Sequence, residues 1–162
     1  MSVLVLGAGS PFGDDRIGWE VVAALESALH DAPPMRVDTR ACDRPGASLV
    51  NELEGVHHLI IVDAARIAGA PAGQLYWLDE AGLEGGGSVS THGFGVAQAL
   101  ALARAIGRAP ARVDVLAISV DQIEGHVLSE PVRKAVPGAV REILARISHT
   151  GPDHSGANSE AS

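Results

Sequence analysis

Cysteine is all but missing from this chain of 162 residues, with Cys42 the only one. One thiol excludes an intramolecular disulfide, a thiolate zinc cage and an iron–sulfur site held by a single chain. Cys42 itself reads as a small buried hydrophobe near the end of a strand. Aromatic residues make up only 3% of the chain, so a hydrophobic fraction of 46% means a core of Val, Ile, Leu and Ala. Cations are scarce as well: 12 Lys and Arg stand against 20 Asp and Glu, a formal charge of −8. That balance argues against a phosphate backbone, so no nucleic-acid partner is expected. No apolar run approaches the roughly 18 to 20 residues needed to span a bilayer, because Asp, Arg, His or Gly interrupts each one. The opening residues have no basic region leading into a cleavable apolar segment, so a cytoplasmic protein without a membrane partner is expected. Serine-hydrolase elbows, His-Glu-x-x-His helices and Walker loops are all absent.

What is present alternates between strand and helix. The apolar run at residues 3–6, ended by Gly7, has the pattern of a central strand buried on both faces. Residues 16–29 carry Ile17, Val21, Val22, Leu25 and Leu29 at helical spacing. Asp14 or Asp15 is placed to cap that helix. A strand is expected at 35–41, a short helix at 47–53 and a second central strand at 58–63. The segment 66–73 is too broken for a crossover helix, so the strand at 74–78 should pair antiparallel at an edge. A glycine-rich loop at 82–90 then leads to Thr91-His92 and a helix at 96–106, stopped by Gly107. A last strand at 113–119 and a closing helix at 130–147 follow, with Pro137 expected to kink or divide that helix. The fold class is therefore α/β: a single three-layer α/β/α domain over residues 1–148 with a twisted, mostly parallel but mixed five-stranded sheet. Residues 149–162 turn to Gly, Ser, Asn and Pro and are expected to form a disordered tail.

In an open α/β sheet, ligands collect outside the carboxyl ends of the strands. Three potential metal ligands fall there: Asp15 in the loop after the first strand, Asp63 closing the middle strand, and His92 opening the third helix. Two carboxylates and an imidazole suit a metal with open coordination positions. The positive end of a helix disfavours imidazolium, which keeps His92 neutral and able to ligate. Gly93 and Gly95 would let a partner backbone approach closely. The loop from Gly7 to Gly13 lies where dinucleotide-binding loops lie, but Asp14 and Asp15 put two negative charges where a pyrophosphate would rest. His126 is a candidate for the rim of the crevice, while His57 and His58 receive no role.

Three segments together resemble the hydrogenase maturation proteases. They are Val3-Leu4-Val5-Leu6-Gly7-Ala8-Gly9-Ser10 with Gly13-Asp14-Asp15, then Leu59-Ile60-Ile61-Val62-Asp63-Ala64, and Ser90-Thr91-His92-Gly93-Phe94-Gly95. The resemblance runs in order from about residue 3 to residue 144. It implies an endopeptidase that removes the C-terminal extension of a [NiFe] hydrogenase large-subunit precursor once nickel is in place. Carried over by position, Asp15, Asp63 and His92 would form the catalytic and nickel-recognition site. The nickel would come with the precursor, no organic cofactor is implied, and a monomer is expected. The chain departs from the family at Ser10, where Asn is usual, and at Arg16, where a small residue is common. It also departs at Ala41-Cys42-Asp43-Arg44, in place of an Asp-Gly-Gly-Thr type turn. Arg16 or Arg44 could pair with a carboxylate of the substrate tail, although a solvated surface arginine accounts for either. The alternatives are a non-catalytic, nickel-dependent precursor-binding chaperone and a nucleotide-binding module.

Overall fold

The first apolar run becomes β1 (Val3–Gly9), buried along its whole length. The computed structural model describes residues 2–32, 36–43, 45–81, 89–91, 94–121 and 124–149. A 3-10 turn (Gly13–Arg16) leads from β1 into α1 (Ile17–His30), followed by β2 (Val37–Asp43) and the one-turn α2 (Leu49–Glu52). Then come β3 (His58–Ile67), β4 (Leu75–Leu78), β5 (Val89–Thr91), α3 (Phe94–Ala105), β6 (Arg112–Ser119) and α4 (Glu130–Ser148). Residues 150–162, most of the expected tail, lie outside the described residues.

The five expected strands form one sheet in the order β2-β1-β3-β6-β4. β2, β1, β3 and β6 run parallel, and β4 closes the edge antiparallel to β6. The side-chain period of two divides each central strand between two cores. Val3, Val5, Ile60, Val62, Leu116 and Ile118 pack under α1 and α4. Leu4, Leu6, Leu59, Ile61 and Val115 pack under α2 and α3. Both helical layers are covered by aliphatic side chains, as the aromatic-poor composition requires. Leu25 and Ile143 on one face and Leu100 on the other are wholly buried, and truncating any of them to alanine should cost about 2–5 kcal/mol.

Three local expectations change. β3 continues four residues past Asp63, and its extension takes β5 as an antiparallel partner, with Ala65 opposite Thr91. The end of the expected 82–90 loop is thus a short strand. Pro137 neither ends nor divides α4, which is continuous from Glu130 to Ser148. The ring lies on the exposed face of the helix together with Arg133, whose carbonyl it deprives of a partner, so water can serve that acceptor.

Candidate functional site

The strand order fixes where a ligand can sit. β1 has β2 on one side and β3 on the other, with α1, in the connection that leaves β1, on one face of the sheet and α3, in the connection that leaves β3, on the opposite face. The chain therefore leaves the carboxyl ends of β1 and β3 in opposite directions, and a crevice opens between them. Asp15 and Asp63 belong to the two sides of this switch point.

Asp15 is seated by glycines. Gly13 has φ +51°, and a Cβ there would come within 2.7 Å of the Glu124 carbonyl oxygen, so both conformation and space require glycine. The 3-10 turn it opens directs the Asp15 N–H to the Phe12 carbonyl at 3.1 Å, while the Asp15 carbonyl accepts from the Ser10 N–H at 3.3 Å. A Cβ on Gly9 would lie 2.2 Å from that same carbonyl oxygen. The backbone of Asp15 is pressed onto the end of β1, and the residue is 1% exposed.

Asp63 lies on β3 opposite Ala117 of β6 and is 0% exposed. By alternation it continues the face of Leu59 and Ile61, the face covered by α2 and α3. Gly18, in the first turn of α1, ties the two sides together: a Cβ there would fall 2.4 Å from the Ala8 carbonyl oxygen and 2.6 Å from that of Val62. The helix start is wedged against β1 and β3 one residue before Asp63. A buried carboxylate must recover its lost hydration through hydrogen bonds or a cation.

His92, the third expected ligand, lies outside the described residues, as do Gly93 and Arg44. The flanking positions are described. β5 ends at Thr91, paired with Ala65 two residues beyond Asp63, and α3 starts at Phe94 in the layer that Asp63 faces. Gly95 is approached by this chain's own backbone: a Cβ on it would lie 1.9 Å from the Pro45 carbonyl oxygen. The described residues alone contain no group of three His, Cys, Asp or Glu able to hold a metal.

Arg16 rather than Asp14 or Asp15 occupies the N-cap position of α1, and its own side chain makes no cap bond. Asp14 reaches instead to the start of α4. Its carboxylate accepts the Ser129 backbone N–H at 2.6 Å and the Ser129 hydroxyl at 2.8 Å. Ser129 is the N-cap of α4, so a carboxylate 115 residues away serves a donor at the positive end of that helix. Local pattern reading looks for a cap within a few residues and misses such a link. The two acidic neighbours thus divide: Asp14 fastens the turn to α4, and Asp15 sits on the end of β1.

The remaining candidates have other uses. Gly7 and Gly9 are consumed by the packing of α1: a Cβ on Gly7 would lie 2.3 Å from the Gly18 carbonyl oxygen. The backbone of Gly18 and Asp15 occupies the approach that a pyrophosphate would need. Cys42 is half-buried on β2, and burial, followed by the charges of Glu52 and Asp43, pushes its thiol above the ordinary range. A thiolate nucleophile is disfavoured there. His58 is wholly buried at the opposite end of β3, with its Nε2 2.8 Å from Asp114, which also pairs with Arg112 at 2.9 Å. His126, expected at the rim, has its ring centroid 6.3 Å from that of Phe12. No helix among the described residues is long and apolar enough to cross a membrane.

Against known proteins, residues 44–146 match the hydrogenase maturation protease family. The chain is similar to the Hydrogenase 2 maturation protease of Escherichia coli (strain K12), with 28% identity over 155 residues that cover 93% of each. Among solved structures it is similar to the hydrogenase maturating endopeptidase HybD from E. coli: TM-score 0.81, 27% identity, 93% of this chain and 94% of that one. It shares its fold with the [NiFe] hydrogenase maturation protease HybD from Thermococcus kodakarensis, at TM-score 0.74 and 22% identity over 91% of this chain and 99% of that one.

Proposed function

The chain belongs to the hydrogenase maturation protease family and is a peptidase, and we propose that it removes the C-terminal extension of a nickel-loaded [NiFe] hydrogenase large-subunit precursor. The observation that carries this reading is the pair of buried carboxylates, Asp15 and Asp63, at the switch point between β1 and β3. In this reading His92 completes a trio that recognises the nickel brought in by the precursor. Carboxylate oxygen and imidazole nitrogen are reasonable partners for Ni(II), and three protein groups leave positions for ligands from the precursor itself. A protein acting as a cytoplasmic monomer fits this role.

Nickel is then part of the substrate and signals that the precursor is complete. A cation held beside a peptide carbonyl withdraws electron density from it and favours attack by water. Water adds to the carbonyl carbon, the C–N bond breaks, and the proton from water passes to the departing amine. Asp15 and Asp63 orient the nickel-bearing segment, and burial strengthens their attraction for it by excluding competing solvent.

Substitution tests the trio. Asp15→Asn, Asp63→Asn and His92→Ala should each slow processing of the nickel-loaded precursor by about a hundredfold or more while the circular dichroism spectrum is retained. Wild-type rates in all three would refute the site. A complex that forms with the precursor but never shortens it would favour a non-catalytic chaperone role.

A further inference from the structure

A groove of about 710 Å³ runs between α1 and α4, beginning at Arg16, the residue after Asp15. Its floor and walls are short and apolar, formed by Ala23, Ala24, Leu128, Val136 and Pro137, and Arg133 stands on the α4 side. Two of the large apolar side chains most exposed among the described residues lie at or beside its mouth: Val127, 78% exposed, and Phe12, 48% exposed with its ring against His126. Apolar surface concentrated beside a reactive centre marks a place where another chain binds.

The charges in the groove indicate what that chain carries. Arg16 spends Nη2 on Glu20 at 3.0 Å, and its Nε is buried with no acceptor among the described residues. Arg133 pairs with the exposed Glu130. Exposed pairs of this kind are held by little free energy and exchange partners readily, and a guanidinium has five donors to offer a carboxylate. On a chain of charge −8, these two arginines form a local receptor for an acidic group.

The lining positions on α1 run from Arg16 to Ser27, about 16 Å at 1.5 Å per residue, the length of about five residues of extended peptide. We propose that this groove is the docking surface for the precursor's C-terminal extension, taken as a short extended apolar segment bearing an acidic group that meets Arg16 or Arg133 at the end nearest Asp15. The proposal rests on the processing function above. It assigns the hold on the extension to a surface separate from the carboxylates that read the metal, so affinity for the extension and recognition of nickel are separable. Arg16 then helps to set which extension is accepted.

Ala23 is exposed, so Ala23→Trp fills the groove without entering the core, and Arg133→Glu reverses its charge. With nickel-loaded precursor, both variants should raise KM by about tenfold and leave kcat within about twofold of wild type. With a precursor shortened to the first two residues of its extension, wild type and both variants should have equal KM. Unchanged KM on the full precursor would overturn the proposal, as would an equal rise on the shortened one, which would place another part of the precursor in the groove. A wild-type dimer in sedimentation that Ala23→Trp dissociates would overturn it in favour of a second copy. If the wild type fails to cut any precursor, the processing function falls, and calorimetry with the synthetic extension peptide still judges the groove. Binding to wild type that is lost in Ala23→Trp supports it, and no binding to wild type overturns it.

Discussion

Asp14 and Ser129 form a double hydrogen bond across the molecule, from the turn after β1 to the N-cap of α4. The bond is part-buried, with Asp14 4% exposed and Ser129 exposed, and it fixes the turn in which the next residue is Asp15. The position of one candidate site residue is thereby anchored by a neighbour that has no place in the site.

Removing either partner should show this coupling. Hydrogen bonds to a buried carboxylate are worth about 1.5–3 kcal/mol, so Asp14→Ala should lower unfolding free energy by about 3 kcal/mol and Ser129→Ala by about 1–2 kcal/mol. In the double variant the losses should fall short of their sum, because both remove the same bond. Urea denaturation of the four proteins measures this. Strict additivity would mean that the two residues do not interact in solution.

The contact between Gly18 and the strands makes a sharper stability prediction. Alanine at 18 meets two backbone carbonyl oxygens, neither of which can rotate away, so Gly18→Ala should cost about 3 kcal/mol. A Cβ placed on Gly46 would meet nothing within 4 Å, so Gly46→Ala should stay within about 0.5 kcal/mol of wild type. Equal denaturation midpoints for the two variants would remove the wedge between β1 and β3 from the account.

His58 predicts a pH dependence. Burial, the largest influence, together with the nearby Arg112 and His57, depresses its pKa below the ordinary 6.5, although Asp114 opposes this. The unfolded chain therefore takes up a proton at higher pH than the folded one. The contribution of His58 to stability is complete above about pH 6.5 and is lost as pH falls through the folded-state value. Unfolding free energy should decline across that window, and His58→Asn should flatten the decline. An unchanged slope in the variant would assign the effect to other groups.

The strands and helices that bury a full face are legible in the sequence, because β1, β3 and β6 are near-continuous aliphatic runs and α1 carries its apolar residues at helical spacing. The edge position of β4 follows from the broken segment before it, which is too short for a crossover. β5 is hidden for a physical reason: three residues after a glycine-rich stretch have no pattern of their own and owe their conformation to the extended end of β3. Asp15 and Asp63 are identifiable because a carboxylate beside an aliphatic strand is costly. Asp14 reads as a local cap and is not one, because its true partner, Ser129, is distant in the chain. The groove leaves no periodic trace, since it is the space between two helices and belongs to neither.

The most direct test of the central claim compares one precursor in two states. Nickel-loaded and nickel-free large-subunit precursor, each incubated with the protein, are weighed by intact-mass spectrometry. The account predicts loss of the C-terminal extension from the nickel-loaded form only. Equal shortening of both forms would contradict the role of Asp15, Asp63 and His92 as readers of the metal, and no shortening of either would contradict the processing function itself.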